Sequence, residues 1–149
     1  MVSKTSIVFP TDFSETSVSA LHWARRMAEQ MDAELHCISV VEPPIVYTSM
    51  EVPTAVPTIE ETVQQAEAQM DEFAKAHLTG FGHAPITRVL AGRPVDEITG
   101  YARENGAAMI VMSTHGRSGL RHLLIGSTAE GVVRHASCPV LTVRGPEAD

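Results

Sequence analysis

The sequence predicts an α/β protein of a single domain, residues 1–149, with a five-stranded parallel sheet and helices on both faces of that sheet. Strand and helix patterns alternate along the chain, which is the order that repeated β-α-β units produce. The predicted strands are near-continuous apolar runs, typical of strands buried on both faces. The helices instead repeat apolar residues every three or four positions, as expected when one side of a helix packs on a sheet.

The first half of the chain predicts two strands, one helix and a long loop. Residues 6–10 form a short apolar strand that ends at a proline, and residues 11–15 supply caps for the helix that follows. Residues 35–41 form the second strand, which Pro43 and Pro44 terminate. Residues 42–58 contain four prolines and no clear period, which predicts a long loop within the domain. The helix is expected to bury one apolar face, made of Ala20, Trp23, Ala24, Met27, Ala28 and Met31.

The second half predicts three helices and three strands. Glycines at 80 and 82 end the second helix, and residues 86–90 form the third strand. Pro94 suits the first turn of the third helix, which turns Val95, Ile98 and Ala102 inward. Residues 107–112 form an apolar fourth strand, and a fourth helix over residues 128–135 leads to a fifth strand at 139–143. The second helix buries Ile59, Val63, Ala66, Met70, Phe73, Ala74 and His77.

Composition and charge limit the classes of partner. The formal net charge is −7, so nucleic acid and anionic membrane surfaces are not expected as partners. No apolar run is long enough to span a membrane, and residues 1–4 lack the pattern of a signal peptide, which predicts a cytoplasmic location. Cys37 and Cys138 have no paired spacing and are expected to be buried small apolar residues in a reducing compartment.

The segment after the fourth strand has the features of a phosphate-binding loop. Gly116 and Gly119 allow close approach of the backbone, and successive N–H groups can point into one concavity. Gly126, Ser127 and Thr128 then open a helix, whose N-terminal N–H groups and dipole suit an anion. The alternative is a glycine turn followed by an ordinary helix cap, and the spacing alone leaves both interpretations open.

A family resemblance covers the whole chain. The run 111–119, continued through Gly126 and Ser127, resembles the signature of the universal stress proteins, G-x2-G-x9-G-[S/T] in their nucleotide-binding branch. Gly116 and Gly126-Ser127 match the second and third parts, whereas Ser113 stands at the first glycine. Residues 7–12 and 137–143 are similar to the same family at the two ends of the domain.

The resemblance implies a Rossmann-like fold of the adenine nucleotide alpha hydrolase-like type, with strand order 3-2-1-4-5. It implies an adenosine held by the first, second and fourth strands, with Asp12 on the ribose and the backbone of Val40 on the adenine. ATP is the expected ligand, with AMP or ADP as alternatives and Mg²⁺ accompanying ATP. The fifth strand, with Val140, Leu141, Thr142 and Val143, would form a homodimer. The expected nucleotide-binding residues are Pro10, Thr11, Asp12, Val40, Val41, Met112, Ser113, His115, Gly116, Arg117, Gly119, Gly126, Ser127 and Thr128.

Other functions find less support in the residues. The seven histidines form no metal-binding spacing, and those at 36, 77 and 83 are interpreted as surface or boundary residues. No general base and nucleophile can be paired, so no catalytic residue is predicted and slow ATP hydrolysis is the most that is expected. A response-regulator receiver is excluded, because Leu90 and Arg144 occupy the regions where that class needs an Asp and a Lys. The second hypothesis, which Ser113 favours, is an interaction module that binds no nucleotide and regulates partner proteins.

Overall fold

The computed structural model describes residues 4–44, 56–116 and 125–145, and these form one parallel sheet with two helices on each face. The sheet order is β3-β2-β1-β4-β5, so the predicted fold class and strand order are confirmed. In chain order the elements are β1 (Ser6–Pro10), α1 (Glu15–Gln30), β2 (Glu34–Val41), α2 (Ile59–His77), β3 (Ile86–Ala91), α3 (Pro94–Glu104), β4 (Met109–Ser113), α4 (Ser127–His135) and β5 (Val140–Val143).

Two apolar cores lie on opposite faces of the sheet. In β1, Ile7 and Phe9 point to the face covered by α1 and α2, whereas Val8 points to the face covered by α3 and α4. All three side chains are fully buried. This alternation follows from the two-residue repeat of a strand, and it explains the continuous apolar runs at residues 7–9 of β1 and 109–112 of β4.

The buried face of α1 differs in part from the predicted one. Ala20, Ala24 and Ala28 are buried as expected, but Trp23 and Met31 are 40% and 38% exposed. Ser17 and Leu21 are buried instead. The alanines let α1 approach the sheet closely, so Trp23 and Met31 stay at the edge of the contact while Leu21 is buried.

Two strand starts lie later than predicted. The Ala107 N–H donates to the Ala102 carbonyl at 2.9 Å, so residue 107 belongs to the turn that ends α3 and β4 begins at Met109. Pro139 has no N–H, and β5 begins at Val140 although the Pro139 carbonyl accepts from Ile110 at 2.9 Å. Of the predicted loop 42–58, residues 45–55 lie outside the described residues, and a capping box of Thr58 and Glu61 starts α2.

The prediction for His36 is wrong, and that for Cys138 is only partly right. His36 is buried, with Nδ1 at 2.7 Å from the Tyr101 hydroxyl and Nε2 at 3.1 Å from Glu34 Oε1. Burial raises the pKa of Tyr101. Cys37 is buried as expected, whereas Cys138 is half-buried, and both are free thiols.

Candidate functional site

A cavity of about 250 Å³ lies at the carboxyl ends of β1, β2 and β4. Ligands bind at this position in doubly wound parallel sheets. The neighbouring strands β1 and β4 are followed by helices on opposite faces of the sheet, α1 and α4, and the two chain segments diverge to leave a crevice between them. The N-termini of α3 and α4 close one side of it. Its lining residues are Pro10, Thr11, Asp12, Ser17, Val40, Pro94, Ile98, Met112, Ser113, Thr114, Gly116, Gly126, Ser127, Thr128 and Ala129.

The turn after β1 is held by hydrogen bonds to its own side chains and to β2. The Thr11 N–H donates to the Ile38 carbonyl at 2.8 Å. The Thr11 hydroxyl accepts from the Phe13 N–H at 2.9 Å and lies 2.8 Å from the Ser17 hydroxyl. Thr11 is therefore fixed from both sides, which positions the backbone of the next residue, Asp12, at the cavity.

The Asp12 carboxylate bridges the start of α1 and the loop after β4. Its Oδ1 accepts from the Ser14 N–H at 3.0 Å and from the Ser14 hydroxyl. A methyl group built on Gly116 would come within 2.5 Å of Asp12 Oδ2. A side chain at residue 116 would therefore displace the Asp12 carboxylate, which lies directly against the backbone of the predicted phosphate loop.

Phe13 joins the Asp12 turn to the core on the α2 face. Its φ of 66° lies in the left-handed region, which costs a non-glycine residue about 1–2 kcal/mol. The ring packs edge-on against Phe73 of α2, with 5.7 Å between centroids. The ring contact offsets the backbone cost, so the turn that carries Asp12 is tied to the core.

The loop after β4 is tied to β5 and to α1. The Thr114 N–H donates to the Val143 carbonyl at 2.9 Å, which extends the sheet by one residue. The carbonyl of His115 accepts from two hydroxyls, those of Thr16 and Ser113, each at 2.9 Å. The His115 side chain is held by the Thr114 hydroxyl, 3.0 Å from Nδ1. Residues 113–116 therefore have a fixed backbone conformation.

The N-terminus of α4 lines the cavity, and its N-cap residue is a glycine, which has no side chain to cap the helix. Gly126 is the N-cap and donates its N–H to the Thr114 carbonyl at 2.6 Å. A methyl group on Gly126 would lie 2.9 Å from that same carbonyl oxygen. The first-turn N–H groups and the hydroxyls of Ser127 and Thr128 form an electropositive end of a helix, which suits a phosphate group.

Ten of the fourteen residues predicted to contact a nucleotide line this cavity. Val41 instead lines an adjoining cavity of about 220 Å³ on the α2 side. His115 contributes its backbone to the loop and does not line the cavity. Arg117 and Gly119 lie outside the described residues. Five lining residues were not predicted, namely Ser17, Pro94, Ile98, Thr114 and Ala129.

The missed residues follow in part from signals in the sequence. Pro94 begins α3 just beyond β3, and Ile98 lies one helical turn further on the same side of α3. A further cavity, of about 340 Å³, shares Pro94, Ser127 and Thr128 with the first and lies between α3 and α4. Within residues 4–44, 56–116 and 125–145, no three His, Cys, Asp or Glu side chains are grouped to hold a metal ion.

Comparison with known proteins identifies the family. A sequence model described as the universal stress protein family matches residues 5–144. The chain is 34% identical over 143 residues to universal stress protein MJ0531 of Methanocaldococcus jannaschii, covering 96% of this chain and 84% of the relative. The chain belongs to the universal stress protein family.

Solved structures of universal stress proteins share the fold. UspA from Lactobacillus plantarum superposes with a TM-score of 0.77 at 24% identity, covering 97% of this chain and 100% of that one. A universal stress protein in complex with cAMP superposes with a TM-score of 0.62 at 25% identity, covering 97% and 100%. Among the helices described for this universal stress protein, none has the length and apolar content to cross a membrane.

Proposed function

We propose that this universal stress protein binds an adenine nucleotide, with ATP as the leading ligand and AMP or ADP as alternatives. The observation that carries the proposal is the cavity at the ends of β1, β2 and β4, which both Asp12 and the N-terminus of α4 line. A carboxylate accepts from ribose hydroxyls, and a helix N-terminus binds phosphate. Both groups line the same cavity, and a nucleotide carries the ribose hydroxyls that suit the first and the phosphate that suits the second.

Each part of the nucleotide has residues in the cavity that could hold it. Asp12 would accept from the ribose, and Val40, together with the apolar side chains of Ile98 and Met112, would contact the adenine. Ser127 and Thr128 would donate to the phosphates next to the N-cap Gly126, whose own N–H is hydrogen-bonded to the Thr114 carbonyl, and Arg117 and Gly119 would complete the predicted loop. Mg²⁺ would arrive with ATP, since this ion is commonly held by phosphate oxygens and water with few protein ligands.

The structure of a universal stress protein with cAMP supports this ligand class, because that protein has the same fold and carries an adenine nucleotide. The volume is also suitable. The cavity of about 250 Å³ continues into the space of about 340 Å³ between α3 and α4, and small-molecule sites range from about 300 to 1,000 Å³.

Calorimetric titration with ATP, ADP, AMP and cAMP tests the proposal. Asp12→Asn should weaken binding by about 10- to 100-fold, because hydrogen bonds to a charged group contribute about 1.5–3 kcal/mol. Asp71→Asn makes the same chemical change on the exposed surface of α2 and should leave the affinity unchanged. An absence of heat and of thermal stabilisation at millimolar nucleotide, with the protein folded, would rule the proposal out.

We further propose that nucleotide binding regulates a homodimer formed through β5, and that the protein acts in the cytoplasm as a stress-response sensor or regulator. β5 lies at one edge of the sheet, and unpaired edges favour strand pairing. Two exposed apolar side chains are expected to flank it. Trp23 shares a face of α1 with Thr16, which lies beside Gly145 just after β5.

Both thiols are free, which suits the reducing compartment of the proposed cytoplasmic location.

Val133 supports the same dimer surface on the other face of the sheet. Gly131 faces Val95 of α3, so Val133, two residues later, points to the opposite side of α4 and is 51% exposed. Val133→Glu should raise the dimer dissociation constant at least about tenfold in sedimentation experiments, since burying an unpaired charge is costly. Val56→Glu places the same charge on an exposed valine before α2 and serves as the control. A wild-type monomer, or equal effects of both variants, would contradict the proposal.

The second candidate, an interaction module that binds no nucleotide, depends on Ser113. This side chain lines the cavity where the family signature has glycine. Its hydroxyl donates to the His115 carbonyl and is thereby directed at the loop backbone, which favours nucleotide binding over this alternative. A Ser113→Gly variant that binds ATP when the wild type does not would favour the interaction module instead.

A further inference from the structure

Two hydroxyl groups from different elements converge on one backbone oxygen in the loop after β4. Thr16, in the first turn of α1, and Ser113, the last residue of β4, each donate to the His115 carbonyl at 2.9 Å. We call this arrangement the carbonyl clamp. A carbonyl oxygen has two lone pairs, so the clamp saturates it and fixes the direction of the peptide group between His115 and Gly116.

The direction of that peptide group determines where the Gly116 N–H points. The described residues contain no cis peptide, so the N–H of Gly116 is antiparallel to the carbonyl of His115. It is therefore directed away from Thr16 and Ser113. Gly116 itself lines the cavity, with its backbone against Asp12. A free peptide could turn this N–H by rotation of the neighbouring dihedral angles, and the clamp prevents that rotation.

The clamp also joins the two sides of the site. The Ser14 hydroxyl donates to Asp12 Oδ1 and lies 2.9 Å from the Thr16 hydroxyl. Asp12, Ser14 and Thr16 thus lie in contact up to the loop, with the Ser14 hydrogen directed to Asp12 and the Thr16 hydrogen to the His115 carbonyl. The orientation of the Asp12 carboxylate and that of the loop peptide are set by the same turn of α1.

We infer that Thr16 and Ser113 are positioning residues that hold the Gly116 N–H as a preorganised donor to the bound nucleotide. The inference rests on the proposed nucleotide site. It adds two residues that affect the ligand indirectly, by orienting the peptide group between His115 and Gly116. It also assigns a role to Ser113, which stands where the family signature has glycine. A serine there supplies a second donor to the carbonyl, which a glycine cannot do.

The sequence provides a direct spectroscopic probe, since residues 115 and 116 are its single His-Gly dipeptide. Protein labelled with carbonyl-¹³C histidine and ¹⁵N glycine gives one carbonyl–amide correlation in an NMR experiment. Its ¹³C shift reports hydrogen bonds to the His115 carbonyl, and its amide shifts report contact of Gly116 with ATP. Thr16→Val and Ser113→Ala should each move the ¹³C signal upfield in the ligand-free protein.

The double variant should bind ATP about tenfold more weakly, because two hydrogen bonds of modest net strength no longer orient the donor. Thr16→Ser retains the hydroxyl and should bind like the wild type. Ser19→Ala removes an exposed hydroxyl from the same helix and should change neither readout. Thermal denaturation of each variant establishes that it is folded, so a loss of affinity can be assigned to the loop.

The experimental outcomes distinguish failure of the carbonyl clamp from failure of the proposed nucleotide binding. An unmoved ¹³C signal in Thr16→Val and Ser113→Ala would show that the clamp does not form. A moved ¹³C signal with wild-type affinity in the double variant would overturn the positioning role. A wild-type protein that binds no nucleotide would overturn the proposed function, and with it the role of Gly116, while the ¹³C shift still reports on the clamp.

Discussion

Gly126→Ala tests how closely the N-terminus of α4 approaches the backbone of the loop after β4. The new methyl group would lie 2.9 Å from the Thr114 carbonyl oxygen, whereas ordinary contacts begin at 3.4 Å. The backbone must therefore open by about 0.5 Å, the difference between these two distances. That movement also strains the 2.6 Å hydrogen bond from the Gly126 N–H to the same oxygen.

The expected cost is about 1–3 kcal/mol of unfolding free energy, the usual range for overpacking without a rotamer that relieves it. For a chain of 149 residues this lowers the melting temperature by roughly 2–10 °C. Urea denaturation measures the free energy of unfolding. The substitution should also displace the N-terminus of α4 and weaken phosphate binding there, which ATP titration measures.

Gly100→Ala is the matched control for this prediction. Gly100 lies within α3, and a methyl group there would have its nearest neighbour, Arg103 Nη2, at 3.9 Å. Alanine should stabilise the helix by about 0.5–1 kcal/mol, so the same substitution has opposite signs at the two positions. A Gly126→Ala protein as stable as Gly100→Ala would refute the reasoning from the close approach.

Three further predictions concern the buried polar groups and thiols. Tyr101→Phe removes the partner of the buried His36 Nδ1 and should lower the free energy of unfolding by about 1–3 kcal/mol in urea denaturation; unchanged stability would contradict a stabilising hydrogen bond there. Burial raises the pKa of Cys37 to about 12. Because the unfolded thiol ionises near pH 9 and the folded one does not, the stability contributed by Cys37 is complete below pH 9 and declines as the pH rises towards 12, a decline that Cys37→Ala should lack. A thiol reagent should modify Cys138 in the folded protein and Cys37 only after unfolding, and equal rates would show that Cys37 is accessible.

The fold could be predicted from the sequence because its main signals are local and repeated. Apolar runs of five to seven residues and the helical repeats between them predict the sheet, and the family resemblance supplies the strand order. Asp12 and Gly126 could be placed at the site because they follow strand β1 and open helix α4. Both signals lie within a few residues of the element that positions them.

What could not be predicted depends on contacts between distant residues. His36 is buried because Tyr101, 65 residues later, supplies a partner for its ring, and no spacing rule indicates that pairing. The periodicity of α1 identifies an apolar side but not how closely the helix approaches the sheet, so Trp23 was placed in the core. The link between Thr16 and His115 spans 99 residues and depends on where α1 begins relative to β4.

Helix α3 reaches from the cavity to the hydrogen-bonded pair of His36 and Tyr101, so hydrogen exchange along it reports local unfolding. Pro94 and Ile98 line the cavity, whereas Tyr101 lies two turns further along, about 10 Å from Pro94 by helix geometry. If α3 opens as one unit, the site is lost, and a ligand at 100 times its dissociation constant suppresses that opening by about 2.7 kcal/mol. The amide hydrogens of α3 that exchange through such opening should then exchange about 100-fold more slowly, as far as Tyr101. Those of α2 that exchange by local opening should keep their rates, because α2 contributes no residue to this cavity.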